Sequence, residues 1–424
     1  MNNKSTLLPM IIIGLLFFIF GFVTWLNGSL IPFLKVICDL NDFEALFVTF
    51  AFYIAYTVMA LPMSFVLDKV GYKNAMAIGL AIMVVGSLIF IPAAQNASFI
   101  LFLIALFTLG TGLTILQTAS NPYIVLVGSI ESAAMRISIM GLINKTAGVL
   151  VPLLFTALIL GDITSLQDLS HEAKDTLAQS LITPYIIMAV VLTFLIALVK
   201  FSALPELEFE SIKDTKKSIF SFPRVVLGAV ALFFYVGIEV IAGDTIGLYA
   251  QYLGLENTTA LTSYTMVFMV LGYISGIVFI PKFISQEKAL IVSATLGIIF
   301  LFGVVFSGSE SFIVSEILWG WSGLRTLPDT ITFVALLGLA NALVWPTIWP
   351  LALEGLGKYT AQGSALLIMA IAGGAIMPLI FGKISFISSD MQSTYMLGII
   401  SYVFILLYAL RWHRIDNWKS DDKS

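Results

Sequence analysis

Gly148-Val-Leu-Val-Pro152-Leu-Leu-Phe155 returns 226 positions later as Gly374-Ala-Ile-Met-Pro378-Leu-Ile-Phe381. Each octet lies inside a long apolar run, so each reads as part of a membrane helix. Repetition at this separation points to a chain built as two similar halves. Two parallel six-helix halves around a midplane cavity are a transporter arrangement.

Composition supports the membrane reading. Of 424 residues, 59% are hydrophobic and 11% charged, with mean hydropathy +1.02. Soluble chains carry about 25% charged residues, so this surface faces a lipid bilayer. Between charged breaks the sequence predicts spans at 7–34, 44–67, 74–94, 98–127, 136–160 and 182–203. A second set follows at 224–253, 259–281, 287–306, 330–353, 359–384 and 392–411. The predicted fold class is an all-α membrane protein of twelve transmembrane helices. Its N-terminal half is 1–203, its cytoplasmic linker 204–223, its C-terminal half 224–411 and its cytoplasmic tail 412–424. The segments 161–181 and 307–329 read as external loops, with Ile313 to Trp321 an optional interfacial helix.

Loop Lys and Arg residues divide sixteen to four in favour of the N-terminal side, with Lys145 inside a span. By the positive-inside rule both termini are cytoplasmic, in a bacterial-type inner membrane. The net charge of −4 offers no basic stripe to nucleic acid. Cys38 is the single cysteine, and His171 and His413 lie in polar stretches. An intrachain disulfide, a thiolate cluster and a histidine-based intramembrane metal site are therefore excluded. No nucleophile–base constellation points to an enzyme, no cofactor is expected, and a pathway within one chain predicts a functional monomer.

Polar residues within apolar helices mark interior surfaces or wet cavities. The candidates are Asn27, Gln117, Thr118, Asn121, Asn144, Lys145, Glu239, Asp244 and Asn341, with Trp25, Trp345 and Trp349 as aromatic faces. Pro122, Pro346 and Pro350 are expected to bend spans four and ten and free carbonyls. Lys145 is alone in the N-terminal half; Glu239 and Asp244 share span seven about 140° apart. Two readings of these charges stay open. The carboxylate neutralises Lys145 structurally, or the pair is a cation-sensitive switch between the halves. Oxygen donors at Gln117, Thr118, Asn121 and Asp244 suit sodium, with a site expected at Gln117, Asn121 and Asp244. Glu239 or Asp244 is the alternative titrating carboxyl for a proton. Glu354, near the end of its span, reads as a gate or capping residue.

Asp68-Lys-Val-Gly71-Tyr-Lys73 resembles the loop joining the second and third helices of the major facilitator superfamily. Ser64 stands where that family usually has its first glycine. Leu26-Asn27-x-x-Leu-Ile-Pro32, Leu116-Gln117-Thr-Ala-Ser-Asn121-Pro122-Tyr123, Tyr235-Val-Gly-x-Glu239, Trp345-Pro346-Thr-Ile and Arg136 with Asn144 eight residues on are more specific. They resemble the fucose–galactose–glucose symporter family. The resemblance implies a sugar site midway between the halves, with Asn144 at a sugar-contacting position and Asn27 beside another. In the fucose/proton branch acids stand where this chain has Gly28 and Gln117; an amide at the latter position is similar to the glucose/galactose branch. The expectation is an importer of an aldohexose such as glucose, galactose or mannose, coupled to a cation with sodium favoured. A proton-coupled sugar symporter and a carrier of another polar solute, such as an organic anion, are the alternatives. Candidate substrate contacts are Asn27, Gln117, Asn121, Asn144, Lys145, Glu239, Asn341 and Trp345. Candidate coupling residues are Gln117, Thr118, Asn121, Glu239 and Asp244, and candidate gating or structural residues are Asp68, Gly71, Arg136 and Glu354.

Overall fold

The computed structural model describes residues 4–126, 133–160, 170–202, 204, 218–280 and 282–418. Among them, twelve helices are long and apolar enough to cross a bilayer. In the first half these are α1 (Leu8–Ile37), α2 (Asp42–Ala60), α3 (Lys69–Gln95), α4 (Phe99–Asn121), α5 (Arg136–Leu160) and α6 (His171–Phe201). In the second they are α7 (Pro223–Asp244), α8 (Thr258–Phe279), α9 (Gln286–Phe306), α10 (Asp329–Leu353), α11 (Gln362–Ser388) and α12 (Met391–Arg414). Each coincides with one expected span. Most of the expected linker, residues 205–217, lies outside the described residues.

The repeated octets occupy equivalent places. A Cβ on Gly148 of α5 would meet Trp25 of α1 at 2.7 Å and Met266 of α8 at 2.9 Å. One on Gly374 of α11 would meet Tyr53 of α2 and Val240 of α7, each at 3.0 Å. Exchanging the halves converts one set of neighbours into the other. The repeat therefore marks where backbones approach across the interface between halves. Outward-facing Leu150, Leu153, Leu154 and Leu158 of α5 and Ile187, Val190 and Phe194 of α6 form the apolar exterior.

Several helices are interrupted. α1 consists of Lys4–Trp25 and Asn27–Ile37, joined at Leu26. α7 ends at Asp244 and resumes as Ile246–Tyr252 beyond Thr245. α10 stops at Asn341 and resumes at Val344. α10 is interrupted just ahead of Pro346, and the helix of α4 continues from Phe99 through position 122 to Leu126. Gly71 has φ 77° and ψ 169°, kinking the chain near the start of α3 where an L side chain would be strained.

The described parts of the two segments expected to be external contain helix. His171–Ser180 is helical and capped by Ser170, whereas residues 161–169 lie outside the described set. Ile313–Trp319 is a short helix with Ile313 and Ile317 exposed, in place of the expected plain loop. Asp390 caps the start of α12, accepting from the Ser393 amide at 3.0 Å. Hydrogen bonds from Ser393 hold its carboxyl below the ordinary range. A lowered pKa contributes stability at neutral pH that disappears as pH falls through it. Asp390→Ala is expected to cost about 1 kcal/mol, read as a fall in Tm that narrows in acid.

At the end bearing the chain termini, Arg224 pairs with Glu354 at 3.0 Å and Asp416 at 2.8 Å. Glu287 accepts from Arg414 at 2.9 Å, and its other oxygen lies 2.9 Å from His413 Nε2. His413, in its polar stretch, is buried against this cluster. These contacts dock the described part of the tail onto the C-terminal half.

Candidate functional site

Lys145 lies nine residues into α5, and Glu239 sixteen residues into α7. Lys145 Nζ is 2.7 Å from Glu239 Oε1, with both residues buried. The ion pair therefore crosses from one half to the other in the apolar interior. Nζ also sits 4.3 Å above the centroid of the Trp25 ring. A desolvated cation–π contact of this kind contributes about 2 kcal/mol. Trp25 Nε1 donates to Asn144 Oδ1 at 3.3 Å, and Asn144 Nδ2 donates to the Phe17 carbonyl at 3.4 Å. Asn144, Lys145, Trp25 and Glu239 thus form one cluster on α1, α5 and α7.

Trp25 is only 2% exposed. With Lys145 over its ring and the glycines 148 and 243 against its edges, it anchors the cluster and offers no open aromatic face. Trp345 and Trp349 stack on one another with centroids 5.2 Å apart and remain partly accessible. Tyr235 of α7 lies 6.4 Å from Trp345.

Gln117 Nε2 donates to the Tyr56 hydroxyl at 3.0 Å. Thr118 Oγ1 is bonded to its own helix at the Thr114 carbonyl, 2.7 Å away. Gln117, Thr118, Asn121 and Asn144 are all partly accessible. Asp244 is fully buried and accepts from Thr49 Oγ1 at 3.3 Å. Since Thr49 and Tyr56 both lie on α2, seven residues apart, Asp244 and Gln117 are held about 10 Å apart along that helix. The expected sodium shell of Gln117, Asn121 and Asp244 is therefore not assembled here. Asn27 is completely buried beside the break in α1. Asn341 is also buried, accepting from Tyr402 at 2.9 Å within the C-terminal half.

Arg136 Nε donates to the Ile124 carbonyl at 2.8 Å, tying α5 to the end of the α4 helix. Glu354 reaches Arg224 of its own half, so it braces α7 against the end of α10 and bridges no gap between halves. The backbone of Asp68 is helical.

One end of the interface between halves is sealed. Residues 25–34 of α1 and 235–250 of α7 are buried without interruption. Ser29 Oγ donates to the Thr259 carbonyl at 2.6 Å; Thr156 and Thr259 hydroxyls lie 2.8 Å apart; Ser263 Oγ donates to the Val149 carbonyl at 2.7 Å. All three bonds join α1 or α5 to α8 or the turn leading into it. The accessible polar side chains lie on the other side of the Lys145–Glu239 pair, toward the chain termini.

A family model described as Major Facilitator Superfamily matches residues 13–382. The chain belongs to the major facilitator superfamily. A glucose/galactose transporter of Brucella abortus is 33% identical over 404 residues, covering 93% of this chain and 92% of the relative. An L-fucose-proton symporter of Escherichia coli is 26% identical, covering 96% and 94%. A crystal structure of the E. coli fucose:proton symporter shares the fold with TM-score 0.73 at 23% identity, covering 97% of this chain and 100% of that one.

Within this superfamily protein, the sequence missed Thr49, Tyr53 and Tyr56. Their spacing of four and three places them along one face of α2. That face meets Asp244, Gly374 and Gln117 in turn. The pattern is visible in the sequence, but six aromatics between Phe43 and Tyr56 obscure it.

Proposed function

We propose that this protein is a cation-coupled symporter importing an aldohexose such as glucose, galactose or mannose by alternating access. The polar cluster joining the halves at Lys145 and Glu239, flanked by accessible amides and stacked tryptophans, carries this reading. The glucose/galactose transporter named above, similar over nearly its whole length, supports the substrate class. A sugar hydroxyl taken from water must regain donors and acceptors. Gln117, Asn121 and Asn144 supply both, and the Trp345–Trp349 stack offers an apolar face for the ring carbons.

Sodium is the favoured coupling ion. Gly28 and Gln117 neither bind nor release protons, while Asp244 is a buried carboxylate among oxygen donors. The fucose-proton relative favours a second reading, in which a proton replaces sodium. The rocking units are residues 1–203 and 224–411, joined by 204–223, within a monomer. With both termini cytoplasmic in a bacterial inner membrane, the sealed end faces outward and the accessible amides face the cytoplasm.

Labelled-glucose uptake into proteoliposomes, with sodium and proton gradients imposed separately, tests the proposal. Accumulation driven by sodium at equal pH is expected, with galactose and mannose competing. Drive by protons alone would select the second reading, and absence of any sugar accumulation would remove the hexose assignment. Asn144→Ala is expected to raise KM for glucose about tenfold, consistent with losing about 1.5 kcal/mol of hydrogen bonding. An unchanged KM would place Asn144 outside the sugar contacts.

A further inference from the structure

Two interrupted spans meet beside their interruptions. α1 breaks at Leu26 and α7 at Thr245, and these are the first spans of the two halves. Leu26 and Thr245 keep near-helical backbone angles, and their amides stay bonded to the Phe22 and Ile241 carbonyls, so each interruption is a single-residue kink. Asn27 is the first residue after one break, and Asp244 the last before the other. A Cβ on Gly28 would lie 3.0 Å from the Gly243 carbonyl oxygen. Asn27 and Asp244 thus occupy neighbouring positions on two touching segments.

Both side chains are fully buried. Neither atom of the Asn27 amide has a hydrogen-bond partner among the described residues, and neither does Asp244 Oδ1. The other Asp244 oxygen receives the single 3.3 Å bond from Thr49. A buried carboxylate is strongly disfavoured without a compensating positive charge. Lys145 is bonded to Glu239 and acts on Asp244 only through space, with no hydrogen bond between them. Thr262 Oγ1 donates to the Gly243 carbonyl, and Thr245 Oγ1 bonds to the Ile241 carbonyl and pairs with Tyr395. Among the described residues no cationic side chain is bonded to Asp244, and its surroundings present oxygen.

We propose that Asn27, Thr49 and Asp244 form a sodium site at the junction of α1, α2 and α7. The inference rests on the cation-coupled reading above and moves its ion away from Gln117 and Asn121. A carboxylate, an amide carbonyl and a hydroxyl are hard oxygen donors suited to such an ion. Asn27 and Thr49 belong to the N-terminal half and Asp244 to the C-terminal half. Sodium bound among them pulls the halves together at the sealed end, so ion binding favours that closed state.

Thermal stability of the purified full-length protein in detergent tests the site, with choline chloride replacing sodium chloride at constant ionic strength and pH. Wild type is expected to show a saturable, sodium-dependent rise in Tm. Asp244→Asn and Asn27→Leu are each expected to abolish the rise, and Thr49→Val to increase half-saturating sodium about tenfold. Gln117→Ala is expected to retain it. Monodispersity on size exclusion selects folded variants, and Thr49→Val supplies the test if Asp244→Asn does not fold. A sodium effect unchanged in all three site variants would overturn the proposal. So would one abolished by Gln117→Ala, or a wild-type Tm responding to pH and not to sodium. The hexose reading fails separately: glucose would leave wild-type tryptophan fluorescence unchanged while the sodium-dependent rise stands.

Discussion

Lys145→Met and Glu239→Gln are each expected to abolish concentrative sugar uptake, with at least a hundredfold loss, and to lower Tm. Each single substitution leaves a charge buried in apolar surroundings. Breaking such a pair costs about 3–5 kcal/mol. In Glu239→Gln the stranded ammonium keeps its contact with Trp25, 4.3 Å from the ring centroid. That variant should therefore be the more stable of the two. The double variant Lys145→Met/Glu239→Leu removes both charges and is expected to recover most of the lost stability, because buried ion pairs are often replaceable by apolar residues. Recovery of stability without uptake would identify the pair as a working connection between the halves. Recovery of both would reduce it to a structural staple. Proteoliposome uptake beside a thermal unfolding curve separates these outcomes.

The spans were legible because hydropathy and the thickness of a bilayer leave few alternatives. The repeated octet was legible because Gly148 and Gly374 sit at equivalent close approaches, where sequence change is sterically limited. The partner of Lys145 was only half legible. Two acids five residues apart cannot both face the same point on α5, but spacing does not say which one does. Packing selects Glu239, which leaves Asp244 to Thr49. The place of Trp25 was open for a related reason: an indole near a polar cluster suits either packing or a sugar face, and the structure puts Lys145 above its ring. The breaks in α1 and α7 were hidden as well. Neither Leu26 nor Thr245 is a strong helix breaker, and both interruptions arise where the two helices cross.

Gly28→Ala is expected to reduce transport about tenfold or more by preventing the seal between the halves from forming. The added Cβ would lie 2.1 Å from Thr262 Oγ1 and 3.0 Å from the Gly243 carbonyl, in the crossing of α1 with α7 and α8. Thr262 is itself held by its 2.7 Å bond to that carbonyl, so it does not yield freely. Overpacking costs about 1–3 kcal/mol. Borne only by the sealed state, this shifts the equilibrium between conformations about five- to 150-fold. Thr262→Ala removes the nearest atom, so the double variant is expected to recover part of the activity. Conformation can be read by maleimide labelling of Thr259→Cys in a Cys38→Ser background. Position 259 is fully buried in the seal, and removing Cys38 leaves no competing thiol. Labelling should rise in Gly28→Ala and fall again when Thr262→Ala is added. Unchanged labelling and transport in Gly28→Ala would mean that the crossing relaxes around the methyl group, and that glycine is not needed for closure.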